Sequence, residues 1–168
     1  MKIAIFLAWV IALGSLNAAP LWDGTDTGMT AEQVKEKFPT AIVPKDPAEL
    51  YGKIAEGLRI PILTYLDEEF TVHFYFDNGA LHQVTLELKK KRAHAVMVKL
   101  AGRVAADLTK QLGDPKSKKE SKDSIGGRFE VHWETPRQKV SVFVLSTGPT
   151  EALYDPIAFN INFQPKQK

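Results

Sequence analysis

The 168-residue sequence contains no cysteine. That absence removes disulfides, thiolate nucleophiles, cysteine-ligated zinc and the lipidated cysteine on which an N-terminal lipid anchor depends. Two catalytic signatures are also missing, since no GxSxG elbow and no HExxH pair occurs. Beyond the first nineteen residues no apolar run is long enough to cross a bilayer, which takes about 20 such residues. What remains is a chain with four histidines, 22 basic and 20 acidic side chains, and a formal net charge of +2.

Its beginning, MKIAIFLAWVIALGSLNAA, places Lys2 before an apolar run from Ile3 to Leu13 and then small or polar residues up to Ala19. This is the pattern of a secretory signal peptide over residues 1–19, with cleavage near Ala18 or Ala19. The run is about half the length of a membrane span. The mature chain, residues 20–168, is expected to be one periplasmic or secreted domain, large enough to be held by its core without disulfides.

From residue 29 the sequence alternates helix and strand signals. Thr30 and Gln33 form a capping box, Met29 and Val34 a hydrophobic staple, and Pro39 ends the helix. A second short helix is expected over DPAELYGKIAEG, with Asp46 as N-cap and Gly57 as the stop. LRIPILTYL reads as an edge strand because it contains Pro61. FTVHFYF and ALHQVTLELK then form a hairpin around Asp77, Asn78 and Gly79. Phe70, Val72, Phe74 and Phe76 must share a face with Val84, Leu86 and Leu88, so opposed residue numbers must sum to an even value. A three-residue loop with Gly79 in the left-handed region meets that requirement.

The longest helix is expected from about Ala93 to Leu112, with Met97, Leu100, Val104 and Leu108 on one side and a stop at Gly113 to Pro115. KSKKESKDSIGG, residues 116–127, reads as a mobile charged loop. RFEVHWE, KVSVFVL and IAFNINF follow as three strands. The halves at about 29–88 and 93–163 therefore match, most visibly in FTVHF (70–74) and FEVHW (129–133). The expected class is α+β: a degenerate tandem of helix plus antiparallel strands, with helices packed on one face of a mainly antiparallel sheet.

The phrases GMTAEQVKEKFP, FYFDNGALHQVTLEL and LTKQLGDP resemble those of two exported groups. One is the SmpA/OmlA-type lipoprotein of the outer-membrane assembly machine, the other the β-lactamase inhibitor protein. The resemblance covers about half the mature chain and implies a protein-binding or inhibitory role on an open sheet face. The lipidated cysteine of the first group and the paired cysteines of the second are absent, so no partner residues carry over.

Strand alternation turns His73 and His132 away from the core set, together with Tyr75 and Thr85. With His82 on the opposite side of its hairpin and His94 opening the long helix, no third ligand converges, and neither metal nor cofactor is expected. Asp67, Glu68 and Glu69 read as a solvated turn, and Trp133 as core.

Charge is uneven. Residues 20–88 carry 5 basic and 12 acidic side chains, a net −7, whereas residues 89–123 carry 11 and 4, a net +7. Arg92, Lys99, Arg103 and Lys110 fall within about 20° of one line on the helix. Such a line is either an ordinary solvated face or a contact surface for an acidic partner. An exported chain has little access to nucleic acid, which leaves an envelope protein or an anionic surface. The leading expectation is a non-catalytic periplasmic binding protein recognising another envelope component, with a secreted inhibitor of a hydrolase and a small carboxylate hydrolase as alternatives.

Overall fold

A computed structural model describes residues 19–52, 54–123, 126–147 and 156–166. The signal-peptide reading thus falls almost wholly outside the described residues. Within them the fold is sheet-rich α+β. It comprises α1 (Ala31–Lys37), β1 (Glu49–Leu50), β2 (Ile54–Tyr65), β3 (Glu68–Asp77), β4 (Ala80–Leu88), α2 (His94–Leu112), β5 (Ser117–Asp123), β6 (Gly126–Glu134), β7 (Gln138–Thr147) and β8 (Pro156–Pro165). The eight strands form one antiparallel sheet in the order β1-β2-β3-β4-β8-β7-β6-β5. Each helix is followed by a four-stranded meander, and the meanders meet where β4 pairs with β8, Val84 opposite Phe163 and Leu86 opposite Ile161. No helix of the described residues is long and apolar enough to cross a membrane.

Two cross-strand rows hold the core. Leu58, Phe74, Val84, Phe163, Val140 and Trp133 form one, and Ile60, Val72, Leu86, Ile161, Val142 and Val131 the other. All are buried, and α2 adds Met97, Leu100, Ala101, Val104 and Leu108 to the same cluster. Trp133 is core as expected, its indole N–H donating to the Gly113 carbonyl at 3.1 Å and so fastening the end of α2. At α1 the Thr30–Gln33 capping box is made in both directions.

Three expectations need correction. The helix over 46–57 is absent: Tyr51 and Gly52 (φ 82°) make a turn, and the segment becomes β1 and the start of β2. A helix of that length has little stability of its own, and pairing with β3 along β2 competes successfully. Gly57 has a packing role instead. It lies at a bulge under the Phe76 ring, where an added Cβ would come within 2.7 Å of the ring. The loop at 116–127 is mostly β5, whose lysines decorate an edge strand paired with β6. Finally, FTVHF lies on the third strand of its meander and FEVHW on the second, so the matching phrases do not occupy equivalent places.

The hairpin register is even, as the alternation requires, from Phe70 opposite Leu88 to Phe74 opposite Val84. The device differs from a three-residue loop. Asn78 (φ 49°) and Gly79 (φ 80°) make a two-residue turn, and a bulge between Tyr75 and Phe76 absorbs the extra residue of β4, His82. Nothing lies within 4 Å of a Cβ placed on Gly79, so substitution there costs backbone strain alone. Gly79→Val is expected to lower stability by at least about 1 kcal/mol and Gly79→Asn by much less, because Asn tolerates the left-handed region. Urea unfolding midpoints of the two variants check this.

Candidate functional site on the polar face of the sheet

The pairing register assembles a third row, on the face opposite the core rows: Arg59, His73, Thr85, Asn162, Ser141, His132 and Ser117, each directly opposite the next across seven strands. Every member is polar. At the interstrand spacing of about 4.8 Å, the row is roughly 29 Å long. On one side of it runs the line Thr71, Glu87, Asn160, Phe143, Glu130 and Lys119. On the other side Glu56, Tyr75 and Gln83 are cross-strand partners, as are Gln164, Lys139 and Glu134.

The row has two zones. In its centre, Gln83 donates to Thr85 Oγ1 (2.8 Å), Thr85 to Asn162 Oδ1 (3.0 Å), Asn162 to Ser141 Oγ (3.3 Å) and Gln164 to Gln83 Oε1 (2.5 Å). This is an uncharged net of amides and hydroxyls linking β4, β8 and β7. Toward β2 the row becomes a buried ionic cluster. The Glu56 carboxylate, with no exposed side-chain surface, accepts from Arg59 Nε (2.7 Å) and Nη2 (2.5 Å) and from the Ala48 amide (3.0 Å), and meets His73 Nδ1 at 2.8 Å. His73 Nε2 lies 3.2 Å from a Glu87 oxygen without hydrogen-bond geometry, and its ring stacks on Tyr75.

Burial alone would raise the Glu56 pKa, but the hydrogen bonds from Arg59 and Ala48 and the charge of His73 outweigh it and hold the group below the ordinary value. Glu87 is lowered chiefly by its interaction with His73, against a desolvation that opposes it. Burial, followed by the charges of Glu56 and Glu87, pushes Tyr75 up to about 12. Tyr75 therefore keeps its phenolic proton well above neutral pH.

Three candidate residues, His73, Tyr75 and Thr85, are brought together here, but they are not the exposed groups that strand alternation suggests. All three are buried. Of the two histidines in the row, His132 is the accessible one, with 40% of its side chain exposed and Nε2 2.7 Å from Glu130. The two histidines share a row and differ in environment because only His73 sits beside the buried Glu56. Sequence reasoning missed Glu56, Arg59, Asn162 and Ser141. Glu56 and Arg59 stand three apart on a strand of irregular register, a relation that becomes visible only once the bulge at Gly57 is known.

The basic line is divided. Arg92 donates to Glu68 at 2.6 Å, and Arg103 donates to the Leu66 carbonyl at 3.3 Å beside Asp67. Lys110 lies 3.9 Å from Asp107, and Lys99 is exposed. The acidic turn at 67–69 is thus the neighbour of half the line. Of the other histidines, His82 occupies the bulge of β4, while His94 Nδ1 meets Ser146 Oγ at 2.6 Å. Among the described residues no three His, Asp or Glu side chains form a set able to hold a metal ion. No protein-family model, curated protein or solved structure matches the chain.

His73→Gln is expected to destabilise by about 1–3 kcal/mol, since it disturbs a buried hydrogen bond to a charged group. His132→Gln should stay within about 0.5 kcal/mol, as exposed positions usually do. Chemical denaturation of both variants distinguishes the environments.

Glu56 and Glu87 have depressed folded-state pKa values, so their stabilisation is present above the ordinary 4.5 and is lost as pH falls below it. Glu134, held at about 2 by Lys116 and Lys166, acts with the same sign between 4.5 and about 2. The denaturation midpoint should therefore decline below pH 4.5, and Glu56→Gln should flatten part of that decline.

Proposed function

We propose that the chain is a non-catalytic envelope protein, exported by the segment 1–19, that recognises another envelope protein through the polar face of its sheet. The observation that carries this reading is the line of seven polar side chains spanning seven strands. In this reading both helices cover the apolar face and leave the polar one to the partner. The chemistry of the face favours a protein over an anionic surface. Around Ser141 and His132 it presents Glu130, Glu134, Lys139 and Lys119, and this mixture of signs complements a folded surface better than a uniformly negative one. In the centre the half-buried Ser141, Asn162 and Gln164 offer directional hydrogen bonds, while Gln83 and Thr85 lie buried behind them. The ion pairs of Arg92 and Arg103 with the 67–69 turn make the basic line the weaker candidate.

The test is capture from envelope extract with purified wild-type chain, with Ser141→Trp, which places a bulky group at mid-row, and with Lys99→Glu/Lys110→Glu. Circular dichroism establishes that each variant is folded. The face variant is expected to lose at least tenfold in affinity for a captured protein and the charge-reversal variant less than threefold. The opposite pattern, or capture only by anionic vesicles, would assign recognition to the basic helix and sink the face reading.

A further inference from the structure

A cavity of about 280 Å³ opens on the apolar side of the molecule, away from the polar row. Its floor is Leu86, Ile161 and Phe163, from the central strands β4 and β8. One wall is the last turn of α2, with Leu108 and Leu112, and another is Leu21 and Trp22. Leu63 and Tyr65, near the end of β2, close the remaining side. The cavity follows from the distribution of helices. The 19-residue α2 packs mainly on β7, β6 and β8, and the 7-residue α1 packs against β2. The junction of the two meanders is thus roofed only by the edges of its neighbours.

The lining is apolar where it is deep and polar where it meets water. Of the deeper polar groups, Tyr65 donates to Asp107 at 2.8 Å and Gln138 donates to the Leu21 carbonyl at 2.5 Å. The Tyr65 hydroxyl hydrogen and one N–H of the Gln138 amide are thus committed to protein acceptors, and the leucine, isoleucine and aromatic side chains make the interior mainly a dispersion surface. Trp22 brings an aromatic ring, stacked on Phe38 at 5.4 Å, and Phe163 another. The exposed rim is Asp23, Thr64 and Gln111, with Gln111 donating to Asp107 at 3.3 Å. An apolar cavity of about 150 Å³ accepts one benzene ring, and this one has nearly twice that volume. Binding sites commonly combine such an apolar body with a few polar groups at the mouth.

From this geometry we infer a small-molecule site that takes a neutral aromatic compound of about two rings, with one hydrogen-bond donor directed at Asp23. An anionic head group is disfavoured because it would meet the Asp23 carboxylate at the rim, and Tyr65 and Gln111 there already donate to Asp107. The site is separate from the sheet face, and its test involves no protein partner.

The probes are 2-naphthol, neutral with one donor, and 2-naphthoate, of similar size but anionic. Calorimetric titration should show 2-naphthol binding at one site, with methyl shifts in nuclear magnetic resonance spectra concentrated at Leu21, Leu63, Leu108 and Leu112. The affinity for 2-naphthoate should be at least tenfold lower. Leu63→Trp, which fills the space, should abolish binding of the neutral probe. Should that variant fail to fold, Asp23→Asn on the exposed rim provides an independent check, because it should narrow the preference for naphthol over naphthoate to less than threefold. Absence of 2-naphthol binding at millimolar concentration overturns the inference, as do shifts located elsewhere or a preference that Asp23→Asn leaves intact. A Leu63→Trp protein of raised melting temperature, set against a wild type that binds neither probe, would show the cavity to be a packing gap.

Discussion

The pairing of β4 with β8 is the contact on which the rest of the molecule depends. Each meander is built from hairpins between neighbours in sequence, whereas this pairing sets opposite one another residues more than 70 positions apart. It completes both apolar rows through Leu86–Ile161 and Val84–Phe163, and the polar row through Thr85–Asn162. One set of backbone hydrogen bonds thus creates a continuous core and a continuous opposite surface. Because side chains alternate along a strand, a one-residue slip at this junction would exchange core and surface along the entire shifted half.

The chain's charge asymmetry finds part of its counterpart within the fold. The acidic β2–β3 turn meets the basic helix α2 and the segment just before it, through Arg92 with Glu68, Arg103 with Asp67 and the Leu66 carbonyl, and Tyr65 with Asp107. Leu66 (φ 51°) and Asp67 (φ 65°) are both left-handed, a conformation that costs ordinary side chains energy. The exposed ion pairs contribute little singly. The partly buried Glu68 and the Tyr65 hydroxyl form the more protected ties. The dipole read along the sequence is therefore partly a description of how the first meander is clasped to the second helix.

The legible parts were those where pattern and burial coincide. The β3–β4 alternation fixed an even register because only one choice buries Phe70, Val72 and Phe74 with Leu88, Leu86 and Val84. The capping box at Thr30 and the apolar stripe of α2 are local and were equally readable. Residues 46–57 were not, because Asp46, Pro47 and Gly57 satisfy helix grammar while the decision rests on distant groups: Phe76 over Gly57, and His73 beside Glu56. β5 was hidden by its charge, since an edge strand can be as polar as a loop. Of the site, the shared face of His73, Tyr75 and Thr85 follows from alternation. Its continuation to Asn162, Ser141 and His132 depends on the order of the strands across the β4–β8 junction, which alternation within one hairpin cannot supply.

The lysine-rich edge formed by β5 has a bearing on solubility. Among the described residues its outer side has no neighbouring strand, and it offers a template for another copy of the sheet. Antiparallel self-pairing centred on Glu120 would set Glu120 against itself. Like charges directly opposed across strands are destabilising. The segment SKKESKD therefore completes the sheet while disfavouring its end-to-end growth by pairing with a second copy.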